Sequence, residues 1–186
     1  MLSLSPAGEA LLYQAIAYLA SGDRDKYLEI LDRSLTTDPL VPFVATLLYP
    51  LYSRSRRLTI VSPWIDDVEL MLSPSLSTLL DLPRELSISR AIELARARGT
   101  RVVLVTRPST HDRTLAQSAK RAELYAHAEL EPLPDELAHQ KCIEVETYAY
   151  IPTANLTEPE LAKMRLTKNV GSIKILNGKP YCYNTE

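Results

Sequence analysis

The chain has two cysteines and five glycines in 186 residues, and no apolar run near the roughly 18 residues that a membrane-spanning helix needs. Each shortage excludes something. Cys142 and Cys182 make neither a disulfide framework nor a metal-ligand pair, so the chain reads as a reduced, intracellular protein. The glycines fall in no GxGxxG or GxxxxGK arrangement, which removes the familiar phosphate loops of nucleotide chemistry. His111, His127 and His139 stand too far apart for a zinc site, so neither metal nor cofactor is expected. The first residues lack the basic cluster and apolar block of a signal peptide, which points to a cytoplasmic chain without a membrane partner. A net charge of -2 argues against a wholly basic nucleic-acid coat and leaves room for a local basic face.

What is present, 46% hydrophobic and 24% charged residues, is ordinary globular composition. Residues 1–55 read as a helical extension, a cap or a dimerisation element. Pro6 starts its first helix and Gly22 stops it, Asp23 caps the second, and "PLVPFVATLLYPLY" is a third, broken by Pro50. Residues 56–186 alternate between strand and helix patterns. "RLTIVSPWI" and "RVVLVTRP" are strands, and "SISRAIELARARGT" is an amphipathic helix closed by Gly99. The stretch before it, rich in Ser, Pro and Leu, reads as a loop, with Asp66 and Asp67 as solvated loop carboxylates. A helix from Arg113 to about His127 would bury Leu115, Ala119, Ala122 and Ala126. Two strands in residues 139–157, a helix over 158–168, and the strands "GSIKIL" and "KPYCY" complete the pattern. The fold class is α/β: a mixed, mostly parallel sheet flanked by helices on both faces, with ligands bound outside the strand ends.

"HQKCIEVETYAYIPTANLT" raises a question of its own, because a buried strand pattern carries His139 and Lys141 at its mouth and Asn155 beyond. This spacing resembles the signature of the phospholipase D superfamily, H-x-K-x4-D followed after six residues by G-S-x-N. Glu146 stands for the aspartate, and Thr153 and Asn155 in "PTAN" stand for serine and asparagine. The resemblance spans residues 57–176.

It implies a phospholipase D-like domain that cleaves phosphodiesters without metal. Neutral imidazole attacks phosphorus where an anionic nucleophile would be repelled, and forms a phosphohistidine. A second histidine protonates the leaving oxygen and then activates water. By the same resemblance His139 is nucleophile or general acid, Lys141 and Asn155 hold the nonbridging oxygens, Thr153 adds a hydroxyl, and Glu146 supports the strand. One copy of the signature implies a homodimer with a shared site.

Two departures are visible. Pro152-Thr153 replaces Gly-Ser, and Gly171 stands where such proteins carry a glutamate that orients the histidine, leaving Glu144 or Glu158 as substitutes. The basic C-terminal flank, which includes the substrate-binding candidate Lys168, and the run Arg54, Arg56 and Arg57 favour nucleic acid as the substrate. A nuclease is therefore the first reading, a noncatalytic nucleic-acid-binding dimer the second and a phospholipase the third. Trp64 and Tyr148 read as core or rim aromatics.

Overall fold

The computed structural model describes residues 1–108, 115–167 and 169–183. Its first half runs β1 (Leu2–Ser3), α1 (Pro6–Ala20), α2 (Arg24–Thr37), α3 (Leu40–Tyr52), β2 (Arg57–Val61), β3 (Glu69–Met71), α4 (Pro74–Leu80) and β4 (Glu85–Ser87). Then come α5 (Ile88–Ala97), β5 (Arg101–Thr106), α6 (Leu115–His127), β6 (Glu129–Pro132), a 3-10 turn (Asp135–Leu137), β7 (Cys142–Glu144), β8 (Tyr148–Ile151), α7 (Glu158–Thr167) and β9 (Ser172–Ile175).

Local chemistry sets the helix starts. Ser5 accepts from the Gly8 amide at 3.0 Å, and Pro6 sits at the start of α1, where its missing N–H costs nothing. A Cβ at Gly8 would meet Asp38 Oδ2 at 2.4 Å, so only glycine lets α1 lie this close to the turn before α3. Asp23 caps α2 as expected, through the Lys26 amide. The expected break at Pro50 does not occur. The helix continues to Tyr52, because a proline in the last turn forfeits one hydrogen bond and leaves the rest intact.

The main sheet has the order β6-β5-β2-β7-β8-β9. β2 with β5 and β5 with β6 are parallel, whereas β2 with β7, β7 with β8 and β8 with β9 are antiparallel. The sheet is mixed, which corrects the expectation of mostly parallel strands. Only the residues between Glu144 and Tyr148 join β7 to β8, far fewer than the dozen or so that a parallel crossover requires. The stretch expected as a loop folds into β3, α4 and β4, which form a second sheet in the order β1-β3-β4. Ser73 caps α4 ahead of Pro74, a signal present in the sequence but read as loop. "KPYCY" is an irregular segment, and β6 is a strand where none was expected.

Strand alternation divides the main sheet into two faces. Leu58, Ile60, Val102, Leu104, Ile143, Tyr148 and Tyr150 join one core cluster, together with buried residues from α1 to α7. Val61, Val103, Val105, Cys142 and Ala149 form a smaller cluster on the opposite face, covered by Cys182 with Leu133 and Tyr183 packed against it. Among the described residues the helices therefore lie on one face, not on both. Residues 1–55 form a layer of this same core. The Tyr27 hydroxyl lies 2.6 Å from that of Tyr148, which in turn lies 2.8 Å from Thr46 Oγ1, tying α2 and α3 to β8. Burial pushes the Tyr27, Tyr148 and Tyr150 phenols well above the usual range.

Two further readings are corrected. α6 buries Arg121 and Leu124, while Ala119, Ala122 and Ala126 are exposed; a leucine removes more apolar area from water than alanines do. Cys142 and Cys182 form a disulfide with Cα atoms 6.1 Å apart, because the C-terminal segment folds across the second face of the sheet. Among the described residues no helix is long and apolar enough to cross a membrane.

Candidate functional site

Register places the motif at one edge of the main sheet. Cys142, the first residue of β7, pairs with Val61, the last residue of β2. Ile151, the last residue of β8, pairs with Ser172, the first of β9. His139 and Lys141, just before β7, and Thr153 and Asn155, just after β8, therefore emerge on the edge where the parallel strands β2 and β5 also end. The antiparallel β7–β8 hairpin is what unites residues so far apart in sequence.

The four side chains are held very differently. His139 is exposed and Lys141 half-buried, and no hydrogen bond or ion pair ties either side chain among the described residues. Thr153 Oγ1 donates to the Asn169 carbonyl at 2.9 Å and lines a cavity of about 410 Å³. Asn155 is fastened to Glu160: Nδ2 donates to Oε1 at 3.0 Å and to Oε2 at 2.9 Å, and its backbone amide donates to Oε1 at 3.2 Å. Asn155 Oδ1 is buried without a hydrogen-bond partner. Asn155 and Glu160 open into a second cavity, of about 420 Å³, walled by Trp64, Asp66, Arg121, Thr157 and Pro159. Glu160 lines both cavities, and His139 and Lys141 line neither. Lys168 lies outside the described residues.

Glu146 sits at the opposite end of the sheet, in the β7–β8 turn. It accepts from the Arg56 and Arg57 amides, each at 2.6 Å, and from Ser55 Oγ at 2.9 Å, which anchors the entry to β2. Neither substitute carboxylate reaches His139. Glu144 is fully buried, 3.1 Å from Arg57 Nη2, and its Oε2 accepts from the Tyr181 and Cys182 amides at 3.0 and 2.7 Å. Glu158 pairs with the Met1 ammonium. A Cβ at Gly171 would meet the Ile151 carbonyl oxygen at 2.1 Å, so no carboxylate can grow from that backbone position. Asp67 is not a free loop carboxylate either, since it accepts from the amide and hydroxyl of Ser89 at 2.8 and 2.6 Å.

Residues the motif did not indicate complete the second cavity. Trp64 has the Arg107 guanidinium 5.2 Å and the Arg121 guanidinium 5.7 Å from its ring centre, within cation–π range. Arg121 is 3% exposed, and its Nε donates to the Ile65 carbonyl at 3.2 Å. An arginine in a helix reads as solvated, so the sequence carried no signal for its burial. Glu160 was legible in part: "TEPE" has the T-x-x-E form of a capping box, here turned toward Asn155.

One group of side chains has metal-ligating chemistry among the described residues: Cys142, Glu144 and Cys182, with ligand atoms within 4.8 Å of one another. The sulfurs are bonded to each other and the carboxylate is committed to Arg57 and two amides, so the group does not suit a metal. No family model and no curated protein matches the chain.

Proposed function

We propose that this chain is a metal-independent phosphodiesterase of the nuclease type, working as a homodimer through a phosphohistidine on His139. The observation that carries the reading is the convergence of the H-x-K segment and the T-A-N segment on one edge of the sheet, where the parallel strands also end. His139 attacks phosphorus, forming the N–P bond as the bond to the leaving oxygen breaks. The His139 of a second copy protonates that oxygen, then takes a proton from the water that cleaves the N–P bond. Lys141 and Asn155 balance charge on the nonbridging oxygens, with Thr153 beside them. The substrate is a nucleic acid, whose backbone the C-terminal lysines, Lys168 included, would contact; the run Arg54, Arg56 and Arg57 enters β2 at the opposite end of the sheet, with Arg57 paired to Glu144, and takes no part in the site.

Cleavage of single-stranded oligonucleotides and of bis(p-nitrophenyl) phosphate should survive EDTA, and should fall about 10²- to 10⁴-fold or more in His139→Ala. Light scattering should return the mass of a dimer. Activity lost in EDTA, activity unchanged in His139→Ala, or a stable monomer would each overturn the mechanism.

A second reading is favoured by two observations: the Asn155 amide is committed to Glu160, and Gly171 leaves His139 without an orienting carboxylate. On that reading the chain binds nucleic acid without cleaving it. Salt-sensitive binding with no turnover in the unmodified protein would select it.

A further inference from the structure

A carboxylate held by amide and hydroxyl donors carries the same charge as a phosphodiester and presents oxygens to the same groups. Glu160 is held in this way. Its two oxygens lie 3.0 and 2.9 Å from Asn155 Nδ2, which donates to the pair of them, and Oε1 also accepts from the Asn155 backbone N–H, with Thr157 Oγ1 at 3.5 Å from Oε2. Glu160 is only half-buried, near the start of α7, and it lines the cavity walled by Trp64, Asp66 and Arg121. An ordinary capping box would send this carboxylate to the Thr157 amide; here that amide donates to the Asn155 carbonyl, and Glu160 reaches back to Asn155.

We infer that Asn155 and Thr157 form an anion cradle whose resident anion is Glu160, and that a phosphodiester must displace this carboxylate to bind. The inference rests on the reading of Asn155 as a phosphate ligand, and makes Glu160 a positioning residue. Glu160 holds the Asn155 amide with Nδ2 donating toward the carboxylate. When a phosphodiester arrives, a nonbridging oxygen takes that donor and the Glu160 side chain rotates outward. The exchange trades one singly charged acceptor for another, so the free energy available from the cradle is the difference between them.

Removing the resident anion should therefore improve binding, a direction that damage to the fold does not produce. Calorimetric titration with bis(p-nitrophenyl) phosphate is done in the His139→Ala background, where no turnover interferes. Glu160→Ala should tighten binding about tenfold or more, since hydrogen bonds to a charged acceptor are what the ligand must replace. Glu160→Gln should give a smaller gain, because its amide oxygen still accepts from Asn155. With His139 restored, KM for the diester should fall in both Glu160 variants. Unchanged or weaker diester binding in Glu160→Gln, with melting temperature preserved, overturns the cradle. Activity that persists in His139→Ala overturns the catalytic reading instead, while the binding comparison between Glu160 and its variants still decides this one.

Discussion

The two ends of the central sheet are built on opposite plans. At the β7–β8 turn the acids and tyrosines are committed: Glu146 holds three donors, Glu144 holds Arg57 and two amides, and the hydroxyls of Tyr27, Tyr148 and Thr46 are linked in a chain. At the other end His139 and Lys141 have no partner among the described residues, and Asn155 is tied to the half-buried Glu160. Carboxylates occur at both ends, so charge alone does not mark the site. What separates them is whether the partners are buried and fixed, as for Glu144, or half-buried beside a cavity, as for Glu160.

Substitutions can break this contrast, beginning with the largest expected loss. Glu144→Ala strands Arg57 and two amides around a buried gap, and should cost about 3–5 kcal/mol by urea denaturation. A loss below about 1 kcal/mol would mean that this end is not the stabilising one. Cys142 begins β7 at the open end, and its bond to Cys182 closes a loop with a sequence separation of 40. Reduction, or Cys182→Ser, should lower stability by about 2–4 kcal/mol, read from melting with and without reductant; identical curves would remove the disulfide as the tie that holds the C-terminal segment to the sheet.

Tyr148→Phe breaks the hydroxyl chain and leaves Tyr27 and Thr46 one partner short, at a cost of about 1–2 kcal/mol. The same region sets the alkaline limit. Burial pushes the Tyr52 phenol up to about 12 from an ordinary 10.0, and the fully buried tyrosines rise in the same direction. A raised folded-state value makes the neutral phenol's stabilisation complete below the unfolded value, and lost as pH rises through the folded one. Urea midpoints should thus hold up to about pH 10 and fall from there toward pH 12, with phenolate absorbance appearing together with unfolding. The smallest effect on stability belongs to His139→Ala, within about 0.5 kcal/mol because the ring is exposed and unpartnered among the described residues. A larger loss would move His139 into the structural class and sink the division between the ends.

Short-range signals were legible without coordinates, because capping and strand alternation act within a few residues. Pro6 and Asp23 mark their helix starts, and "RLTIV", "RVVLVT" and "YAYI" are strands as their β-branched and aromatic content suggests. The H-x-K to T-A-N spacing was likewise visible. Strand direction was not, because it depends on the connections: a short turn makes β7 and β8 antiparallel whatever their composition. Nor were the partners of Glu144, Glu160, Arg121 and Cys182, each of which contacts a group that only packing brings near. A residue's local pattern records which face it presents to its neighbours in the chain. Whether a carboxylate on that face meets backbone amides, a guanidinium or an asparagine side chain is decided by strand order and register, and those are set by burial across the whole core.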